Sequence, residues 1–166
     1  QSDTAGISAL FDTTLADGTG TIYKEVQVSI AATTAVEGSP LVFTVTLSEA
    51  VSSRVTVTYE VKGNGTAGAD DFSYVLTTPV FEPGTTSVEI AVSSTSDEVV
   101  ERDETLWVML TGVSAPVDSV FSVSVDSTAS AAMGTIMDDD DVAVTLSGVT
   151  GSVTEGDQLV FKVALD

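Results

Sequence analysis

Carboxylates are the only side chains in this sequence present in the number and crowding that chemistry would need. Glu37 stands alone, followed by Asp70-Asp71, Asp97-Glu98, Glu101, Asp103-Glu104 and the run Asp138-Asp139-Asp140-Asp141. The chain has no His and no Cys, which excludes His-based triads, thiol nucleophiles, Cys/His zinc sites, iron–sulfur clusters and disulfides. Carboxylates without nitrogen or sulfur partners leave two chemistries: an acid–base pair such as a glycosidase uses, or coordination of a hard cation. Aromatic residues that would line a sugar cleft make up only 6% of the sequence, so no enzyme is expected. The bland alternative is a solvated acidic surface. The choice depends on where the fold puts the acids.

The positioning elements are strands. Val, Thr and Ser dominate, and the first two fit a pleated sheet better than a helix. Alternating apolar and polar residues mark Val26–Ile30, continuing irregularly to Val36, then Leu41–Leu47, Val55–Val61, Phe72–Val80, Ser87–Val92 and Thr105–Leu110. Ala131–Ile136 closes the series after a weaker Val120–Val125. Turn signals separate these strands, and about 115 residues can bury a core without disulfides. The expected fold is all-β: an Ig-like antiparallel Greek-key sandwich of about seven strands. Phe43, Phe81 and Trp107 are expected in its core.

Up-and-down parity then sorts the acids. If the strand ending near Val36 finishes at one end, Glu37, Asp70-Asp71, the Asp97–Glu104 segment and Asp138–Asp141 all fall at that end. This holds if Val120–Val125 belongs to the far-end crossover. Asp118 and Asp126 fall at the opposite end. Like charges so crowded oppose each other's ionisation, and Arg102 is the one cation nearby. Hard oxygen ligands of high charge suit Ca²⁺ better than Mg²⁺, which takes fewer carboxylates and keeps its waters.

The sequence also repeats itself. Gly20-Thr21-Ile22 recurs as Gly134-Thr135-Ile136, and Val26–Ile30 as Val142–Leu146. Glu37-Gly38 with Leu41–Leu47 recurs as Glu155-Gly156 with Leu159–Leu165. Three blocks at nearly constant spacing imply tandem units: 1–25 as the tail of a preceding repeat, 26–141 as a complete domain, and 142–166 as the start of the next. The chain opens on Gln1 and reads as part of a longer protein.

Five ordered motifs carry a family resemblance: Val36-Glu37-Gly38, Ala69-Asp70-Asp71-Phe72, Phe81-Glu82-Pro83-Gly84, Asp97 through Glu104, and Gly134-Thr135-Ile136-Met137-Asp138-Asp139-Asp140. Together they resemble the Calx-β domain over the whole complete unit. The resemblance implies a Ca²⁺-binding sandwich, with ligands on Glu37, Asp71, Asp97, Glu101, Glu104, Asp138, Asp139 and Asp140, and the Val99 carbonyl as a backbone ligand. It departs from the fullest family pattern at Ser96 and Arg102, where acids are common, so fewer ions or weaker binding are implied. Tyr23-Lys24-Glu25 stands where the preceding unit would carry its Asp run.

The remaining signals are weaker. Gly63-Asn64-Gly65-Thr66-Ala67-Gly68 matches GxGxxG, but no helix follows to hold a phosphate, so a flexible hairpin loop is expected. A formal charge of −20 argues against nucleic acid, and no apolar run reaches the ~18–20 residues of a membrane span. The expected function is a Ca²⁺-rigidified structural or adhesive repeat of a long extracellular, cell-surface protein. Its partners would be calcium ions, neighbouring repeats in the same chain, and cell-surface or matrix ligands. The alternative is a regulatory Ca²⁺ sensor controlling an attached transporter or enzyme.

Overall fold

A computed structural model describes residues 24–116, 120–148 and 152–165. Strands appear where side chains alternate between a dry and a wet face: β1 (Lys24–Ile30), β2 (Thr33–Val36), β3 (Pro40–Leu47), β4 (Val55–Lys62), β5 (Phe72–Ser73), β6 (Val80–Phe81), β7 (Ser87–Ser94), β8 (Glu104–Ser114), β9 (Phe121–Val125) and β10 (Ala131–Met137). β3 shows the logic clearly: Leu41, Phe43, Val45 and Leu47 are buried, while Val42 and Thr44 are exposed. A separate hairpin, β11 (Val144–Gly148) with β12 (Phe161–Leu165), follows.

The ten strands form two five-stranded sheets, β5-β7-β3-β1-β9 and β2-β10-β8-β4-β6. Their inner faces enclose one core in which Phe43, Phe81, Leu41, Ile90 and Leu106 are the largest fully buried side chains. The chain makes about seven passes, because three of them change sheet midway. β1 leads into β2, and β9 into β10, each crossing from the first sheet to the second. Phe72–Phe81 does the same: Phe72-Ser73 pairs with β7, Val80-Phe81 pairs with β4, and the stretch between is not strand. The expected single strand over Phe72–Val80 is therefore two short ends of a crossing.

Pairing is antiparallel except for β1 with β9 and β2 with β10, which are parallel. The weak 120–125 element is thus no far-end crossover. It is the lower half of the pass that β10 completes. Asp126 sits at the bend between the halves, level with Val28–Ile30, and its carboxylate accepts from the Thr128 N–H at 2.8 Å and hydroxyl at 2.7 Å. That corrects its expected place at the opposite end; Asp118 lies outside the described residues. Both hydroxyl and backbone donors hold the Asp126 pKa below the usual carboxylate range.

Trp107 is also not core. It is half-buried on the outer face of β8, between Lys62 and Met133, while Leu106 and Val108 point inward. Gly134 is needed for close approach: a Cβ there would meet Phe43 Cζ at 2.7 Å and Leu41 Cδ1 at 3.2 Å. Gly134→Ala should consequently overpack the core and destabilise the sandwich by about 1–3 kcal/mol. Urea unfolding should show a lower midpoint at an unchanged slope; an unaltered midpoint would contradict this packing.

Candidate metal centre

The site is built from strand termini. Glu37 follows β2, with its N–H bonded to the Met137 carbonyl at 2.9 Å, which brings the β2 and β10 ends side by side. Asp71 precedes β5, Asp97 and Glu101 lie in the β7–β8 loop, Glu104 opens β8, and Asp138, Asp139 and Asp140 leave β10. The acids that parity assigned to one end do lie at one end. Glu37, Asp71, Asp97, Glu101, Glu104 and Asp138 line a single cleft, together with Arg102.

Two tight groups stand out. Glu37, Asp139 and Asp140 have carboxylate oxygens within 4.8 Å of one another, and so do Asp71, Glu101 and Glu104. Asp97 and Asp138 join neither group through their carboxylates but bind backbone near them. Asp97 Oδ1 accepts from the Val99 N–H at 2.7 Å, and Asp138 Oδ1 accepts from the Glu101 N–H at 3.2 Å. Val99 is exposed and lies in the loop that Asp97 shapes in this way.

Local packing explains how the β2–β3 turn meets that loop. Gly38 adopts φ +73°, and a Cβ there would meet Ser96 Cβ at 2.9 Å, so the turn presses directly on the residue before Asp97. Ser94, a buried polar residue, donates its hydroxyl to the Ser39 carbonyl at 2.7 Å. The Asp97 N–H reaches Glu37 Oε1 at 3.2 Å. Ser96, where the resemblance would place an acid, lies against Gly38.

The loop over 63–68 was the residue set that sequence reasoning undervalued. It is fastened to β8 by a reciprocal clasp: Thr105 N–H donates to Thr66 Oγ1 at 3.0 Å, and Thr66 N–H donates to Thr105 Oγ1 at 3.3 Å. The buried Ala67 adds an N–H bond to the Thr105 carbonyl at 3.0 Å. The Gly68 N–H binds Asp71 Oδ2. A Cβ on Gly65 would stand 1.9 Å from the Thr105 carbonyl oxygen. Gly65 marks a close approach to the strand that carries Glu104, not a flexible hairpin.

Electrostatics mark the same end. Burial comes first in pushing the Glu104 pKa up to about 7, followed by a side-chain hydrogen bond with Asp71 and the charges of Asp71 and Glu101. Burial also raises Asp140, with Asp138 and Asp139 next in effect. At Glu37 the Asp97 N–H pulls downward, but burial and the charges of Asp140, Asp97 and Asp139 outweigh it, so the pKa is raised. Among the described residues the ion pairs are Lys24–Glu49, Arg54–Glu82 and Lys62–Glu60, and none involves these acids. Asp140 Oδ2 is enclosed and accepts no hydrogen bond. An enclosed, unpartnered carboxylate oxygen among repelling carboxylates is a poor state without a cation and a good ligand with one. The donor set is all oxygen, which fits calcium.

Fold and site together define a β-sandwich with a carboxylate cage at one end. The Calx-beta domain model matches residues 24–140. Solved structures of similar fold include the apo-form Calx CBD1 domain, 20% identical over 69% of this chain and 98% of that one, with a TM-score of 0.55. The Calx CBD2 domain is 12% identical over 70% and 89%, with a TM-score of 0.60. The calcium binding domain CBD12 of CALX1.1 is 22% identical over 71% and 49%, with a TM-score of 0.54. No curated protein matches. The chain belongs to the Calx-beta domain family, a family of calcium-binding domains.

Two outcomes follow from this geometry. A Glu104 pKa raised in the folded chain above its ordinary 4.5 means the folded state holds that proton more tightly than the unfolded one. Its contribution to metal-free stability is complete below about 4.5 and is lost as pH rises through about 7. A calcium ion held by Glu104 would have to displace the same proton, so apparent Ca²⁺ affinity should fall as pH drops below about 7, approaching about tenfold per unit for one proton. Titration calorimetry at pH 6 and pH 8 would show it; equal affinities would contradict it. Secondly, Gly65→Ala should displace the clasp and weaken Ca²⁺ at least about tenfold, about 1.4 kcal/mol, in a sandwich that circular dichroism shows still folded.

Proposed function

We propose that this domain binds Ca²⁺ through Glu37, Asp71, Asp97, Glu101, Glu104, Asp138, Asp139, Asp140 and the Val99 carbonyl, and that the ion stiffens a repeat of a long extracellular protein. The observation that carries the reading is the pair of carboxylate groups at one end with an enclosed, unpartnered Asp140 oxygen. Bound there, the cation would supply charge neutralisation and nothing reactive. The chain's own residues do the rest: Gly38 and Ser94 set Glu37 against the β7–β8 loop, and the Thr66–Thr105 clasp sets Asp71 beside Glu104.

The mechanical role rests on where the acids lie in the chain. Asp138–Asp140 belong to the site, and β11 begins at Val144. An ion held there would fix the last residues before the following segment, which has no Gly/Ser-rich linker to act as a hinge. The internal repeat and the lack of Cys support the structural or adhesive role at a cell surface, with neighbouring repeats and surface or matrix ligands as partners. The second reading, a Ca²⁺ sensor that changes the angle to an attached transporter or enzyme, draws on the same joint; flanking membrane spans in the full-length sequence would favour it.

Calcium should raise the melting temperature. At a free concentration one hundred times its Kd the gain is about 2.7 kcal/mol, several degrees for a domain of this size. Asp139→Ala and Glu104→Ala, one in each carboxylate group, should each remove most of that gain. Asp126→Ala, in the turn between β9 and β10, should keep it. A melting curve identical in chelator and in millimolar Ca²⁺ would sink the reading.

A further inference from the structure

β7 is paired along most of its length on one side only. Its pairing with β3 runs from Ser87 to Ser93, whereas β5 covers it at Ser93 and Ser94 alone. Hydrogen bonds at either end give the orientation of the rest. Thr86 offers its carbonyl to the Leu47 N–H on the β3 side, and the Thr95 N–H reaches the Asp71 carbonyl on the other. In an antiparallel ladder successive residues turn their backbone groups to alternate sides. Val88, Ile90 and Val92 therefore face β3, while Glu89 and Ala91 point their N–H and C=O groups outward. Among the described residues no backbone group meets them there.

The segment that follows β5 passes this edge without covering it. After Ser73 the chain crosses to β4, where the Val57 N–H binds the Pro79 carbonyl at 3.0 Å. Midway, the Thr77 N–H donates to the hydroxyl of the buried Tyr59 at 3.3 Å. These bonds tie the crossing to β4 and leave a groove of about 510 Å³ beside β7. Tyr74, Val75 and Thr77 form one wall, and Glu89, Ala91 and Ser93 the other. Tyr74 stacks on Phe72 with ring centroids 6.5 Å apart, and Val75 is 79% exposed. None of these residues belongs to the two carboxylate groups of the metal centre.

An edge with unused donors and acceptors beside an apolar wall is suited to an added strand. Charge decides what kind. The groove contains Glu89 and no Lys or Arg, on a chain of net charge −20. A second copy laid antiparallel on β7 would bring its own Glu89 close to this one and set two strongly acidic chains together, which like-charge repulsion opposes. With 5 Lys and Arg scattered singly, the sequence has no basic segment of its own to offer. We propose that the β7 edge docks an extended, positively charged peptide segment of another protein, which adds a strand to the first sheet. Main-chain bonds to Glu89 and Ala91 hold it, a Lys or Arg lies beside Glu89, and an aliphatic side chain rests against Tyr74 and Val75.

The probe is a capped peptide of about six residues, the usual length of a strand, alternating Lys and Val. Added to isotopically labelled protein, it should slow hydrogen exchange at the Glu89 and Ala91 amides by about tenfold or more. The same peptide N-methylated at alternate residues keeps its charge but loses donors, and should bind at least about tenfold more weakly. Ala91→Pro removes an outward N–H, a loss that an edge strand tolerates, and should abolish binding at an unchanged melting temperature. Should that variant melt early, Glu89→Lys decides instead: it should reject the Lys-Val peptide and accept a Glu-Val one. Equal binding of the N-methylated peptide would overturn the proposal, because charge attraction alone would then account for it. So would exchange slowed around Glu101–Glu104 but not at Glu89 and Ala91. A dimer of the chain alone, seen by sedimentation and already protecting both amides, would overturn it too, since a second copy would be the occupant.

Discussion

Mutual repulsion among carboxylates, held in place by a core that does not yield, is the constraint around which this molecule is arranged. Burial first, and this repulsion after it, raises the pKa values of Glu37, Glu104 and Asp140. A loop-borne cluster of this charge would relax by moving apart. Here each of these acids lies within three residues of a strand end, so moving them apart would pull on the ends of the sheets. The interior that resists this is apolar, with Phe43 and Phe81 fully enclosed. Packing energy is thereby set against electrostatic strain, which a divalent cation held by these oxygens would relieve.

The strand-switching passes are what make the arrangement possible. Because β1 passes into β2 and β9 into β10, the β2 and β10 ends lie side by side in the second sheet, parallel and in register. Glu37 and Asp138–Asp140 therefore emerge next to each other from segments a hundred residues apart. The β10–β8 pairing sets Ile136 opposite Glu104, and β5 sets Phe72 opposite Ser94, which adds Asp71 and the Asp97 loop. No single strand carries the site. The sheet edges and ends assemble it.

Several small residues that look like loop filler turn out to be spacing devices. Gly65 admits the Thr105 carbonyl, Gly38 admits Ser96, and Gly134 admits the Phe43 ring. In each case the missing Cβ allows a close approach that transmits core position to an acid or to the strand beneath it. The repeated hairpin at β11–β12 gives the contrast within one chain: the same local pairing and turn, without the packing that encloses it in the first copy.

Strand alternation, the placing of the acids at one end and the oxygen-only donor set were legible in the sequence, because they depend on period-two patterning and on counting reversals. Leu106 and Val108 facing inward is that same signal, and it also places Trp107 outward, against the expectation that a lone tryptophan belongs to the core. What sequence could not supply were relations between residues far apart in the chain with no periodicity to announce them. That the Phe72–Phe81 pass breaks to change sheets, that 121–125 rises with β10, and that Asp126 closes a bend at mid-height are consequences of sheet pairing. The division of the acids into Glu37–Asp139–Asp140 and Asp71–Glu101–Glu104 was likewise decided by tertiary structure. Local pattern fixes which face of a strand is apolar and which end a loop occupies; only the packing of two sheets sets distances of a few ångströms between side chains that the chain itself holds a hundred residues apart.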